Sequence, residues 1–199
     1  ARRLIEQAND ALKGHDGELA NGFVALLFAH AAPEDLVGYE PTELAALAEQ
    51  AWQFLQTRKP GSPKIRFAAP ETPPGSTRLK GVSVIEIVND DMPFLVDSVM
   101  TALAERELSI RLVVHPVLTV MRDAVGQLTA LHSEHRSDDS SLREGFIHIH
   151  VERIDEHIID ARLYELLRQF VHVGEVVGQP RSEVEVQPHR PTDKKRNWD

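Results

Sequence analysis

The apolar positions of this chain change period along its length. Through the first sixty residues they fall three and four apart, the spacing that lays one stripe along a helix. Leu19, Phe23, Leu26 and Leu27 form one such stripe, and Leu44, Leu47, Ala48, Ala51 and Leu55 form a second. Pro33, Gly38 and Pro41 divide them, because proline cannot continue a helix and glycine weakens one. Arg58-Lys59-Pro60-Gly61 is expected to close the last helix, with its cations at the negative end. Lys64–Ala68 reads as a short strand, and the proline- and glycine-rich stretch from Pro70 to Gly81 as a linker.

From Val82 the pattern alternates in type. Val82–Val88 is β-branched and almost wholly apolar, as a buried strand requires. Pro93–Glu107 returns to helical spacing, with Leu95, Val96, Val99, Met100 and Leu103 on one face and Asp91 placed to cap the free amides. Ile110–Arg122 is a second long strand in which Pro116 marks a bulge or an edge. Asp123-Ala124-Val125-Gly126 is a turn, and Leu128–His132 should pair back from it. Glu134–Glu144 is polar and reads as a surface loop. Phe146–Ile154 alternates strictly, with Ile147, Ile149 and Val151 on one face and His148, His150 and Glu152 on the other. Asp155 then opens a helix bearing Ile158, Ile159, Leu163, Leu166, Leu167 and Phe170. Past Gly174, with Pro180, Pro188 and Pro191, the chain is expected to fray.

Strand, helix, strand, strand, helix is the split β-α-β order of a ferredoxin-like fold. The class expected is α+β, a two-layer α/β sandwich written βαββα(β), preceded by a helical segment. The divisions are a helical segment over 1–62, a strand and linker over 63–81, the sandwich over 82–172 and an irregular tail over 173–199. Either Lys64–Ala68 or the alternating Val184 and Val186 supplies the last strand. Val82, Val84 and Val88 oppose Ile85 and Ile87, so both faces of that strand are apolar. A sheet in water needs only one apolar face, so the second should meet the N-terminal helices, another subunit or a later domain.

Composition narrows the class of partner. The formal charge is −9, from 22 basic and 31 acidic residues, which repels a phosphate backbone. Lys194-Lys195-Arg196 is the one dense basic cluster, and no aromatic cluster marks the sheet for base stacking, so no nucleic acid is expected. There is no cysteine, which removes disulfides and thiolate metal sites. No apolar run approaches membrane-spanning length, and the first residues lack a signal-peptide core, so no membrane contact and a cytoplasmic location are expected.

The segment Glu86-Ile87-Val88-Asn89-Asp90-Asp91-Met92-Pro93-Phe94-Leu95-Val96-Asp97-Ser98-Val99 resembles the signature stretch of the large bacterial NAD-dependent glutamate dehydrogenases. His115-Pro116-Val117, Arg122-Asp123 with Gly126, and Phe146–Ile154 fall where that family has matching elements. Pro33-Glu34-Asp35-Leu36, Glu43-Leu44-Ala45-Ala46 and Arg58-Lys59-Pro60-Gly61 also look like its opening helical region. The resemblance runs from about residue 25 to 170 and implies an ACT-type regulatory module ahead of a distant catalytic domain. In that family the catalytic domain oxidises L-glutamate with NAD and water to 2-oxoglutarate, ammonia and NADH. Beyond Phe170 the likeness ends: Val173-Gly174-Glu175-Val176-Val177-Gly178-Gln179-Pro180 stands where the family continues a helix. A truncated product or a fragment is therefore expected, inactive alone, with no catalytic residues and no cofactor of its own. The expected partners are the catalytic domain of the parent enzyme and a second copy, joined through the sheet face or edge. The competing reading is a free-standing module that senses an amino acid.

The chemistry that the residues offer is sparse. No G-x-G-x-x-G or G-x-x-x-x-G-K-[ST] occurs, so no dinucleotide or nucleotide cradle is present in the sequence. Asn89, Asp90, Asp91, Met92, Pro93, Phe94 and Leu95 join a strand to a helix whose free amides suit a small anion such as a carboxylate. Amino-acid-binding ACT modules typically carry Asp-x-Pro-Gly-Leu here, and this chain has Phe94 in place of the glycine. The plainer reading is that Asp91 and Pro93 start the helix while Phe94 fills the core. His148 and His150, with His115, form a candidate set for zinc, against the alternative of a solvated or partner-facing sheet face. Ser98, His115 and Asp97 lack the strained elbow that exposes a nucleophile.

Overall fold

The computed structural model describes residues 1–12, 22–132 and 141–154. Three helices come first: α1 (Arg2–Ala11), α2 (Phe23–Phe28) and α3 (Pro41–Leu55). Pro41 opens α3, where its missing N–H costs nothing, and the Glu43 carboxylate accepts the Glu40 amide at 3.0 Å. The far end of α3 is not closed by Arg58 and Lys59 as expected. The Lys64 ammonium reaches back from the next strand and donates to the carbonyls of Phe54 and Thr57, at 2.6 and 2.8 Å.

Six strands follow around one helix. They are β1 (Lys64–Ala68), β2 (Val82–Asp90), β3 (Ile110–Val114), β4 (Val117–Arg122), β5 (Leu128–His132) and β6 (Leu142–Glu152), with α4 (Leu95–Ala104) between β2 and β3. The order across the sheet is β1-β2-β6-β4-β5, with β3 also on β6, and every pairing is antiparallel. Lys64–Ala68 therefore supplies the edge strand beside β2. The expected helix after Asp155, the alternating Val184 and Val186, and the tail with Lys194-Lys195-Arg196 lie outside the described residues.

Two sequence expectations change here. The strand drawn over Ile110–Arg122 is broken at His115-Pro116. β3 pairs with the second half of β6 and β4 with the first, and the Phe146 amide donates to the Pro116 carbonyl at 2.9 Å. A proline has no N–H for the ladder, so the strand divides where it sits. The loop drawn over Glu134–Glu144 ends earlier than expected, because β6 already begins at Leu142 and Glu144 is fully buried. Local polarity misled the reading: the buried carboxylate has its own cationic partners. The turn at Gly126 holds as expected. Its φ is +88°, and an added Cβ would stand 2.4 Å from the Arg58 carbonyl oxygen.

The sheet has helices against both faces. Ile65, Ile85, Ile87, Ile147, Ile149 and Val151 pack on Leu95, Val99 and Leu103 of α4. On the other face Val84, Val88, Leu112, Val114, Leu118, Val120 and Phe146 share one core with Ala8, Phe23, Leu27, Phe28, Leu44, Leu47, Ala51 and Leu55. The second apolar face of β2 is thus covered by the chain's own helices. Of the three occupants expected for that face, the N-terminal helices are the one found, and α1, α2 and α3 form a cap that shares its core with the sheet.

Candidate functional site

The cap-side face of the sheet carries a row of buried polar groups. Glu86 interrupts the apolar run of β2, and His148 and His150 take the matching side of β6, where Glu86 stands opposite His148 in the register. All three side chains are buried. The Glu86 carboxylate accepts from the Arg66 guanidinium on one oxygen and lies 3.0 Å from His148 Nδ1 on the other. His148 Nε2 is 2.8 Å from His150 Nε2, and His150 Nδ1 is 2.7 Å from the Tyr39 hydroxyl of the α2–α3 connection. Burial alone would raise the Glu86 pKa, but the His148 and Arg66 partners outweigh it and the carboxyl is held below its usual range. Burial drives His150 well below the ordinary imidazole value, with the charges of His148 and Arg78 acting in the same direction. Burial likewise keeps the Tyr39 proton on, against the opposing pull of Arg78, whose guanidinium stacks 4.4 Å over its ring.

A second buried cluster lies further along β6. Glu144 binds Arg122 through both oxygens at 2.8 Å and Arg58 at 2.7 Å, and all three side chains are excluded from water. Arg58 also donates to Asp90, at the end of β2, at 2.6 Å. Two cations thus meet two carboxylates, which is the condition for holding ions in a low dielectric. The cluster ties the loop after α3 to the ends of β2, β4 and β6.

The loop Asn89–Leu95 starts from this anchor. Asn89 is buried and its amide approaches the Met92 sulfur at 3.0 Å. Asp90 is held by Arg58. Asp91 does not cap α4: its carboxylate pairs with Arg143 at 2.8 Å and its amide donates to the Arg143 carbonyl. α4 begins at Leu95, with Phe94 before it at φ +65° and no side-chain cap. Phe94 does not fill the core either, being 76 % exposed, while Leu95 turns inward. Phenylalanine thus adopts the left-handed conformation that glycine takes without strain, a departure that costs about 1–2 kcal/mol in an L residue.

The three histidines do not assemble. His115 is exposed between β3 and β4, whereas His148 and His150 spend their ring nitrogens on each other, Glu86 and Tyr39. Among the described residues no group of three could hold a metal ion. The face they share is not solvated, because α2 and α3 cover it. Sequence reading missed Tyr39, Arg66 and Glu86 as partners of the histidines, and Arg58, Arg122 and Glu144 as a second buried cluster. The single charge inside Val82–Val88 was the available signal for the first of these.

At the strand-to-helix turn from β2 to α4, Asp90 and Asp91 bring carboxylates and no glycine opens the backbone, so this turn does not fit a dinucleotide pyrophosphate.

Comparison with known proteins bears on the whole chain. The family model described as "Glutamate dehydrogenase, ACT1 domain" matches residues 23–166. An NAD-specific glutamate dehydrogenase of Halomonas elongata is 29% identical over 172 residues, 84% of this chain and 11% of that protein. The one from Pseudomonas aeruginosa is 26% identical over 151 residues, 74% of this chain and 9% of that protein. The chain therefore spans about a tenth of the length of these relatives. No solved structure matches it. With the antiparallel sheet and helices in the expected order, and the match covering most of the chain, this protein belongs to the glutamate dehydrogenase ACT1 domain family.

Proposed function

We propose that this chain is a regulatory and assembly region of an NAD-dependent glutamate dehydrogenase and contributes no catalytic residue to the reaction. That reaction takes L-glutamate, NAD and water to 2-oxoglutarate, ammonia and NADH, and in this reading a separate catalytic domain performs it. The observation that carries the proposal is the match of residues 23–166 to the glutamate dehydrogenase ACT1 domain model, in a sequence that carries no glycine-rich dinucleotide cradle. The buried polar groups give the same answer, since their partners are one another.

The regulatory part rests on the loop Asn89–Leu95. It presents the start of α4 to solvent, its backbone already holds a glycine-like turn at Phe94, and Asp90 and Asp91 anchor its first half to Arg58 and Arg143. An amino-acid effector would place its carboxylate against the free amides of α4. Assembly with a second copy would use the edge strands β1 and β5, since the cap-side face is covered.

A segment exchange tests the proposal. The matching region of the Pseudomonas aeruginosa dehydrogenase is replaced by this chain, and glutamate-dependent NADH formation is followed. The hybrid should retain hydride transfer and change only its response to added amino acids. A folded, soluble hybrid with no NADH formation would contradict the non-catalytic assignment.

A further inference from the structure

The polar row from Tyr39 to Glu86 spans the boundary between cap and sheet, and geometry limits how many protons it can hold. Ionised Glu86 only accepts, so His148 Nδ1 must carry a proton toward it. The two Nε2 atoms face each other at 2.8 Å, a distance that holds one hydrogen between them and excludes two. In one arrangement Tyr39 donates to His150 Nδ1, His150 donates from Nε2 to His148, and His148 donates to Glu86. In the other, His148 carries both ring protons as an imidazolium and donates from Nε2, and His150 donates from Nδ1 to the Tyr39 oxygen, whose own proton must then turn out of the row. The second arrangement holds one proton more than the first, and neither allows both rings to be imidazolium.

We propose that this chain of groups is a proton-operated latch, which holds the helical cap on the sheet near neutrality and releases it in mild acid. Other charged groups around the pair offer an added proton no new partner. Arg66 on β1 is already bound to Glu86, and Arg78, before β2, lies over Tyr39. Arg111 on β3 adds positive charge, and Glu43 on α3 is engaged by the Ser76 hydroxyl. From α2 the neighbour is the Phe28 ring, 6.4 Å from His148. Glu144 and its arginines sit six residues away along β6, about 20 Å, and would serve as the hinge about which the cap lifts. Opening exposes Val84, Val88, Val114 and Phe146 and lets His150 take the proton that the closed row excludes.

The sign follows from proton uptake. His150 is held neutral in the closed form, so closure is favoured above the ordinary imidazole value near 6.5 and is lost as pH falls below it. Loss of the Glu86 contribution belongs to a separate and lower range, below about 4.5.

Amide hydrogen exchange on the 199-residue chain between pH 7.5 and 5, corrected for intrinsic exchange, tests the latch. The expected result is that α3 amides lose protection about tenfold per pH unit below about 6.5, while α4 and β6 keep theirs. In His150→Gln, whose amide can bridge Tyr39 and His148 without taking a charge, that slope should disappear. Equal loss in α3, α4 and β6 would overturn the proposal, as would an unchanged slope in His150→Gln. Should that variant not fold, ¹⁵N NMR of His150 in the parent decides. The ring should gain its second proton only as the cap opens, and titration near 6.5 with α3 still protected would overturn the latch.

Discussion

Toward α4 the sheet presents Ile85, Ile87, Ile147, Ile149 and Val151, while toward α1–α3 alternate residues of the same two strands include Glu86, Glu144, His148 and His150. Both faces are dry, so the difference lies in what each demands of its neighbours. An apolar face asks only for volume and shape, and near-isosteric exchange costs little. A buried polar face is stable only when every member is paired, and one deletion leaves its partners stranded. The cap is therefore held by apolar contact together with polar groups that fix one register, whereas α4 is held by contact area alone.

The contrast can be broken from the polar side first, with the largest effect. Glu144→Ala leaves Arg58 and Arg122 as buried cations with only half-exposed Asp90 between them. It should cost about 3–5 kcal/mol in urea denaturation. A loss below about 1 kcal/mol, on the scale of an exposed ion pair, would show that water reaches the cluster. On the apolar face Ile149→Val removes one methylene from a fully buried site and should cost about 1 kcal/mol in the same measurement. A loss as large as that of Glu144→Ala would erase the distinction between the faces. Phe94→Gly has the smallest expected effect, and it is opposite in sign. Relief of the left-handed backbone outweighs the added chain entropy, for a gain of up to about 1 kcal/mol. Destabilisation would mean that the exposed ring makes a contact that its 76 % exposure does not show.

Much of the fold was legible because periodicity reports burial. The stripes of α2 and α3, the alternation of β6 and the apolar run of β2 each named their inward residues. The turn at Gly126 followed from a backbone constraint that acts locally, whereas Pro116 reads as a bulge or edge within one strand and instead divides it in two. Long-range partners were not legible. Arg58 reads as a helix-terminal cation until Glu144 and Asp90 appear beside it, 86 and 32 residues away in sequence. His148 and His150 read as a solvated or partner-facing face, with a metal set as the rival, since alternation gives only the side and not what covers it. Phe94 sits at a position where the sequence suggested core filling, and only its positive φ explains why the ring points outward. The loop Asn89–Leu95 was legible as a strand-to-helix connection, but the pairing of Asp91 with Arg143 in place of a helix cap was not.

The central claim, that this region serves a glutamate dehydrogenase without performing its reaction, is tested most directly by NADH absorbance. The purified 199-residue chain is incubated with NAD and L-glutamate beside a matched blank. The account predicts no glutamate-dependent rise at any chain concentration. A rise proportional to the chain, abolished by omitting glutamate, would contradict it.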